Sequence, residues 1–344
     1  MIKRVGVIGG GQLAAMMAEA AKRLGIELVV QTPAQTDPAV MIAAETIFAP
    51  VDDASATAKL AALCDVITFE NEFVDLEALS RLEAEGVCFR PSTRALAPLL
   101  DKYHQRCYLK DLGLPTPKFS ALDSSNGWDG EQGRTALSNL FESQETLSKK
   151  LSLTENLLAF PPSPTVLKTR RHGYDGQGTF ILKDWAELQA TVERLKKVPL
   201  LLEEFIPFER ELAAIAARSV NGEVVVYPIV ETQQEKQVCH QVLAPAKIHQ
   251  AVIEQVEAIA HTLLNSLQAV GVFGIELFLT REGKVLVNEI APRVHNSGHF
   301  TLDACATSQF EQHLRAVSGL SLGTPTMHCV AAVMVNLLGY EHST

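Results

Sequence analysis

The tightest constraint on the fold lies at the N-terminus. Val5-Gly6-Val7-Ile8 is a short apolar run, Gly9-Gly10-Gly11 follows at once, and an amphipathic stretch starts directly behind it. There Leu13, Met16, Met17, Ala20, Ala21 and Leu24 recur at helical spacing, up to Gly25. Strand, glycine turn and helix in such quick succession commit the chain to a βα unit. Ile26 to Val30 and Asp65 to Phe69 are further apolar strands, so the N-terminal part is predicted to be a parallel sheet covered by helices. The Met pair reads as core packing.

Further along, the pattern changes. Asp101 is placed to cap a helix ending near Gly113, with Pro115 and Pro117 as stop signals. Asp123 to Pro164 is rich in Ser, Gly, Asn, Gln and Glu and reads as a partly helical insertion or lid. Val166-Leu167-Lys168 and Thr179 to Leu182 flank a glycine-rich hairpin. Strands are predicted at Pro199 to Glu204, Glu211 to Arg218, Glu223 to Glu231, Gly271 to Leu279 and Lys284 to Ile290. Helices are predicted around Ala251 to Ala269 and from about Leu302 to Val317. Strands joined by tight turns point to a largely antiparallel α+β region.

A chain of 344 residues exceeds the ~100–200 residues of a typical domain and predicts two or three subdomains. The net charge of -10, with no Lys/Arg-rich run, argues against nucleic acid and anionic membranes as partners. No apolar stretch approaches the ~18–20 residues of a spanning helix. The apolar run after Met1-Ile2-Lys3-Arg4 meets the glycine triplet too soon for a signal peptide. The six cysteines form no CxxC pair, which suits reduced thiols in the cytoplasm and lacks zinc-ligand spacing.

Several clusters carry chemistry. Gly9-x-Gly11-x-x-Ala14 fits a loose dinucleotide fingerprint, in which backbone N–H groups at a helix start favour phosphate. A nicotinamide enzyme also needs an acidic residue at the end of the second strand, where this chain has Val30-Gln31-Thr32-Pro33. Another phosphate and a purely structural turn both remain open. Lys168 to Gly178 is a glycine-rich loop between two strands, with Lys168 as a point charge for phosphate oxygens. It resembles a flap over a nucleotide, and its bland alternative is a solvated basic hairpin.

Glu276 and Glu289 lie on two strands joined around Thr280-Arg281-Glu282-Gly283. If those four residues are the loop, Glu276 faces Val287, and Glu289 lies diagonally from Glu276 on the same face. Asn288 then points away, unless a bulge turns it in. Hard oxygen donors of this kind favour magnesium; a general acid/base pair and exposed edge glutamates are the alternatives. Pro292-Arg293-Val294-His295-Asn296-Ser297-Gly298-His299 follows directly as a dense set of anion donors. Leu201-Leu202-Glu203-Glu204-Phe205-Ile206, with Glu211 behind it, is a strand and linker able to hold an adenine and a ribose.

Taken in order, these motifs resemble the ATP-grasp superfamily. Gly9-Gly10-Gly11-Gln12-Leu13, Phe69-Glu70-Asn71-Glu72, the Lys168 loop, Asn288 to His299 and Ser308 to Ala316 narrow the resemblance to the 5-(carboxyamino)imidazole ribonucleotide synthases, ATP-dependent carboxylases of bacterial purine synthesis. The resemblance implies an α/β and α+β chain: a Rossmann-like parallel-sheet domain at 1–100, then a two-part ATP-grasp fold. Its small lid domain would span 101–205, with the insertion near 123–164, and its large domain 206–344. Family members usually continue into a basic Arg-Lys-Leu-Gly segment at the ribonucleotide phosphate, so the large domain is expected to be shortened at its C-terminus.

By the same resemblance, ATP would be bound by Lys102, Lys168, Gly173, Tyr174, Asp175, Gly176, Gln177, Gly178, Glu203, Glu204, Phe205, Ile206, Glu211 and Asn288. Glu276 and Glu289 would hold Mg2+. Tyr174, Asp175, Arg293, His295, Asn296 and Ser297 would surround bicarbonate and aminoimidazole ribonucleotide, with Arg293, His295, Asp175 and Tyr174 as the catalytic set. Gly11, Gln12 and Glu70 or Glu72 would serve the ribonucleotide side. The implied reaction carboxylates the ribonucleotide through carboxyphosphate, in a cytoplasmic homodimer. A formate-dependent transformylase of the same superfamily, an inactive ATP-binding protein and a dinucleotide oxidoreductase are the alternatives.

Overall fold

The computed structural model describes residues 2–122, 164–171, 178–195, 198–235 and 238–337. The insertion expected at 123–164 therefore lies outside the described residues except for Pro164, as do the flap residues 172–177.

Four strands make the N-terminal sheet: β1 (Arg4–Ile8), β2 (Glu27–Thr32), β3 (Glu45–Phe48) and β4 (Val66–Phe69). Their order is β3-β2-β1-β4, all parallel. The helices are α1 (Gln12–Met16), α2 (Ala18–Leu24), α3 (Ala54–Leu63) and α4 (Leu76–Ala84). The single helix expected after the glycine turn is thus two. Met17 N–H turns to the Ala14 carbonyl (3.1 Å), a tight i to i−3 turn that interrupts the regular ladder. Gly25 ends α2 at φ 66°, the left-handed conformation that favours glycine at a helix C-terminus.

After α5 (Thr93–Leu96) and α6 (Lys102–Asp111), β5 (Phe119–Leu122), β6 (Thr165–Thr169), β7 (Thr179–Leu182) and β8 (Leu200–Glu204) form an antiparallel sheet ordered β5-β8-β6-β7. Helix α7 (Trp185–Arg194) packs on it through Leu188 and Val192.

The large sheet holds β9 (Phe208–Arg218), β10 (Val224–Val226), β11 (Val230–Glu235), β12 (Val238–Ala244), β13 (Gly271–Thr280), β14 (Val285–Ala291) and β15 (Ala332–Val335). It is antiparallel in the order β14-β13-β9-β11-β12-β15, with β10 paired to β9. The one strand expected over Glu223 to Glu231 is two, because Pro228 lacks the N–H that would continue the ladder. Helix α8 (Gln250–Leu267) buries Val256, Leu263 and Leu264 against Phe273, Val287 and Ile290 of this sheet.

The helix expected over Leu302 to Val317 is also two: α9 (Thr301–Ala304) and α10 (Gln309–Val317). Cys305 between them is extended and bridges to Met327. Ser308 starts α10 afresh, its Oγ accepting from Glu311 N–H. One core joins the first and third sheets, running from Val5, Met17 and Ala21 to Ile215, Phe310 and Leu314. Among the described residues no helix is long and apolar enough to cross a membrane.

Candidate active site

At the first glycine turn the helix-end donors are already taken. Gly11 N–H donates to Glu70 Oε2 (2.6 Å) and Ala14 N–H to Glu70 Oε1 (3.2 Å). A methyl at Gly11 would lie 2.7 Å from Glu70 Oε1, so the turn closes tightly on this carboxylate. The chain's own anion sits where a dinucleotide would place its pyrophosphate, and the oxidoreductase reading loses its site. Gln12 is exposed beside this turn.

The second and third sheets meet around one buried polar chain. Glu203, at the end of β8, takes Arg106 Nε on Oε1 and Lys168 Nζ on Oε2 (2.8 Å), and all three residues are buried. Burial works against the charge of Glu203, but the two cations outweigh it and hold the carboxyl at about 2. Burial likewise draws the Lys168 ammonium below the usual lysine range, against the attraction of Glu203. Lys168 Nζ also donates to Asn288 Oδ1 (3.0 Å), and Asn288 Nδ2 to Glu276 Oε2 (3.3 Å). Lys102, at the start of α6, pairs with Glu289.

The strands of Glu276 and Glu289 do not run in the expected register. Glu276 pairs directly with Glu289, not with Val287. The turn takes one residue more than expected, so Leu277 faces Val287. A bulge between Glu276 and Leu277 then leaves Asn288 as the extra residue. As a result Val287 and Ile290 both lie in the core, while Asn288 and Glu289, consecutive in sequence, both reach the polar site.

Burial, with the nearby Glu289 and Glu211 carboxylates, pushes the Glu276 carboxyl up to about 7. Burial also raises Glu211. For Glu289 burial acts in the same sense, but Lys102 and Lys168 outweigh it and hold the carboxyl below the usual range. Carboxylates crowded on one face are the donor set that a divalent cation fits. No larger group of metal-ligating side chains occurs among the described residues. Two carboxylates completed by phosphate oxygens and water suit magnesium.

The loop after β14 closes the other side. Arg293 Nε pairs with Glu72 Oε1 (2.9 Å), tying this loop to the N-terminal sheet. His295 Nδ1 accepts from Ser297 N–H (3.4 Å) and lies 2.8 Å from Ser297 Oγ. The other ring nitrogen, Nε2, therefore carries the proton and faces Glu276 Oε1 at 3.4 Å. Burial, helped by the Arg293 charge, drives the His295 pKa down to about 3, so the ring is neutral near pH 7. Gln309 at the start of α10 seats it, accepting from His295 N–H (2.9 Å) and donating to its carbonyl (2.7 Å). Asn296 Oδ1 beside it is buried without a partner.

Glu203, Lys168, Asn288, Glu276 and His295 thus form one connected chain, and the Lys102–Glu289 pair lies beside it, Glu289 being opposite Glu276 in the ladder. Glu204 stands apart: its carboxylate takes Lys118 N–H at 2.7 Å. Phe205 and Ile206 are half-buried in the linker to β9. Gly178, at φ +83°, closes the foot of the flap through its carbonyl to Thr169 N–H (2.8 Å). Gly173, Tyr174, Asp175, Gly176 and Gln177 lie outside the described residues. Sequence reasoning missed Gln105, Arg106 and Gln309, which hold the site from behind. It also missed the stacked Phe208–Phe278 pair (4.8 Å), whose Phe278 lies opposite Glu211 in the ladder.

Comparison with known proteins identifies the family. Residues 107–310 match the ATP-grasp domain, and residues 2–98 match the ribonucleotide synthetase preATP-grasp domain. The chain is 53% identical over 340 residues to the N5-carboxyaminoimidazole ribonucleotide synthase of Synechococcus elongatus, covering 99% of this chain and 79% of that protein. It is similar to an N5-carboxyaminoimidazole ribonucleotide synthetase crystallised as its ADP complex, with TM-score 0.85 and 34% identity over 98% of this chain and 82% of that one. It is also similar to the Aspergillus clavatus synthase solved with ADP and 5-aminoimidazole ribonucleotide, with TM-score 0.82 and 32% identity over 98% and 83%. A parallel sheet, a smaller antiparallel sheet and a carboxylate-bearing large sheet, matched by sequence across nearly the whole chain, place it in a family: the chain belongs to the N5-carboxyaminoimidazole ribonucleotide synthases of the ATP-grasp superfamily.

Proposed function

We propose that this chain carboxylates 5-aminoimidazole ribonucleotide at the expense of ATP, with bicarbonate as the carbon source, giving the N5-carboxy product, ADP and phosphate in purine synthesis. The observation that carries this reading is the unbroken polar chain from Lys168 through Asn288 and Glu276 to His295. It joins a cationic pocket suited to phosphate with a loop of anion donors.

In this reading Lys168 and Lys102 face the phosphates of ATP, and Glu203 holds Lys168 in place. Phe205, Ile206, Glu204 and Glu211 serve the adenosine end, together with Gly178 at the flap's foot. Glu276 and Glu289 hold magnesium, which would neutralise charge on the phosphoryl oxygens, and Asn288, between Lys168 and Glu276, faces the nucleotide. Arg293, fixed by Glu72, supplies a permanent positive charge for bicarbonate and for the carboxyphosphate formed from it. Neutral His295 donates a hydrogen bond through Nε2 and does not compete with Arg293 as a cation. Asn296 and Ser297 line the same pocket, while Gly11, Gln12 and Glu70 border the ribonucleotide. Tyr174 and Asp175 are assigned to the reacting groups on the resemblance alone. A cytoplasmic homodimer completes the reading, on the same ground.

ADP release by the purified chain tests it. The expected result is release that requires both the ribonucleotide and bicarbonate, with formate unable to replace bicarbonate. Arg293→Ala should lower turnover by roughly 100-fold or more, the usual cost of removing a charge-stabilising donor. Formate-dependent release, or full turnover by Arg293→Ala, would sink the proposal.

A further inference from the structure

Strand β14 is the edge of the large sheet, so its outer backbone groups have no neighbouring strand. They are satisfied by α6 and the segment behind it. Gln105, buried at 2% exposure, accepts from Ile290 N–H (2.9 Å) and donates to the Ile290 carbonyl (3.0 Å). Its side-chain amide thus copies the two bonds of a missing strand. Three residues earlier, Val287 N–H donates to the Pro115 carbonyl (2.8 Å), and the Val287 carbonyl accepts from Arg106 Nη1 (3.1 Å). The two anchored residues bracket Asn288 and Glu289, the pair that the bulge turns into the site.

An edge strand with a bulge has a competing state. A one-residue slip would restore regular alternation and turn one of the two polar residues toward the core. The anchors at Val287 and Ile290 oppose that slip, because either register change would leave a buried backbone group unpaired. Arg106 also holds Glu203, and through it Lys168, so one turn of α6 sets both the carboxylate and the ammonium of the site.

We propose that Gln105 and Arg106 are positioning residues that lock the β14 bulge and thereby fix the approach of Glu289, with Asn288 beside it, to the divalent cation. The inference rests on the reading of Glu276 and Glu289 as magnesium ligands.

Mn2+ binding to the full chain, followed by electron paramagnetic resonance with ADP present, tests it directly. Gln105→Met keeps the volume and removes both bonds to Ile290. Arg106→Lys keeps a charge beside Glu203 and gives up the bond to Val287, so the test survives a folding failure of the first variant. Each folded variant should bind Mn2+ roughly 10-fold more weakly, while in Gln105→Met metal-free ADP affinity stays within about twofold. Unchanged Mn2+ affinity in a folded variant would overturn the proposal. So would an equal loss of metal-free ADP binding in Gln105→Met, which marks a general structural effect. Glu289→Gln separates the two levels: if it binds Mn2+ as well as the unaltered chain, the magnesium reading itself fails.

Discussion

At the scale of single residues the site depends on close approaches that leave no slack. Gly274 on β13 lies directly under His295. A Cβ there would sit 2.6 Å from His295 Cβ and 2.7 Å from Cγ, closer than real contacts allow. His295 cannot retreat freely, because Gln309 holds its backbone on both sides. Gly274→Ala should therefore displace the imidazole and cost about 1–3 kcal/mol of stability, the range for overpacking a well-filled interior. Turnover should fall while ADP affinity stays near normal, since Lys168 and Glu203, which the proposed function assigns to the nucleotide, lie on other strands. Steady-state kinetics beside an ADP titration checks this; equal losses in both would mean a wider collapse. The glycine is visible in the sequence, but its reason is not, because His295 reaches it only through the fold.

At the scale of elements, the cap of α6 also ties down the end of β6. Asp101 accepts from Tyr103 N–H (2.9 Å) and His104 N–H (3.3 Å), and the same carboxylate pairs with Arg170 at the end of β6 (2.8 Å). Lys102 N–H in turn donates to the Arg170 carbonyl (2.9 Å). Asp101→Ala should cost about 1–2 kcal/mol through the cap alone. It should also raise KM for ATP, because Arg170 borders the loop that follows Lys168. Asp101→Asn separates the two effects: it can still cap the helix but gives up the charge and the second oxygen that pair with Arg170, so stability should largely return while KM stays high. Chemical denaturation together with ATP kinetics reads both. Asp101 was legible as a cap because capping is decided within a few residues. The register of β13 and β14 was not, since alternation predicts a regular strand and the bulge depends on partners in α6. The break at Ser308 was legible in principle, as Ser308-x-x-Glu311 is the spacing of a capping box. The apolar periodicity running through it concealed the stop.

At the scale of the whole molecule, one histidine pins the first sheet to the third. His313 on α10 is fully buried. Its Nδ1 accepts from Val272 N–H of β13 (3.1 Å), and its Nε2 lies 2.8 Å from Thr68 Oγ1 of β4. Since Nδ1 is the acceptor, Nε2 carries the proton and donates to the threonine. Protonating Nδ1 would set a donor against the Val272 N–H and break the link. Burial holds the pKa of this ring at about 4. The unfolded chain titrates this group near 6.5, so between about pH 4 and 6.5 it binds a proton that the folded chain excludes. Stability from this group is therefore present near neutrality and lost as pH falls, by about 2 kcal/mol between pH 7.5 and 5. His313→Gln keeps a donor and an acceptor but cannot titrate. It should be less stable than the unaltered chain at pH 7.5, with the gap closing at pH 5. The lowered pKa values of His295 and His299 act in both proteins and cancel in the difference. Urea denaturation at the two pH values gives the answer. Parallel losses in both proteins would show that acid sensitivity arises elsewhere, and that His313 holds the sheets together by packing alone.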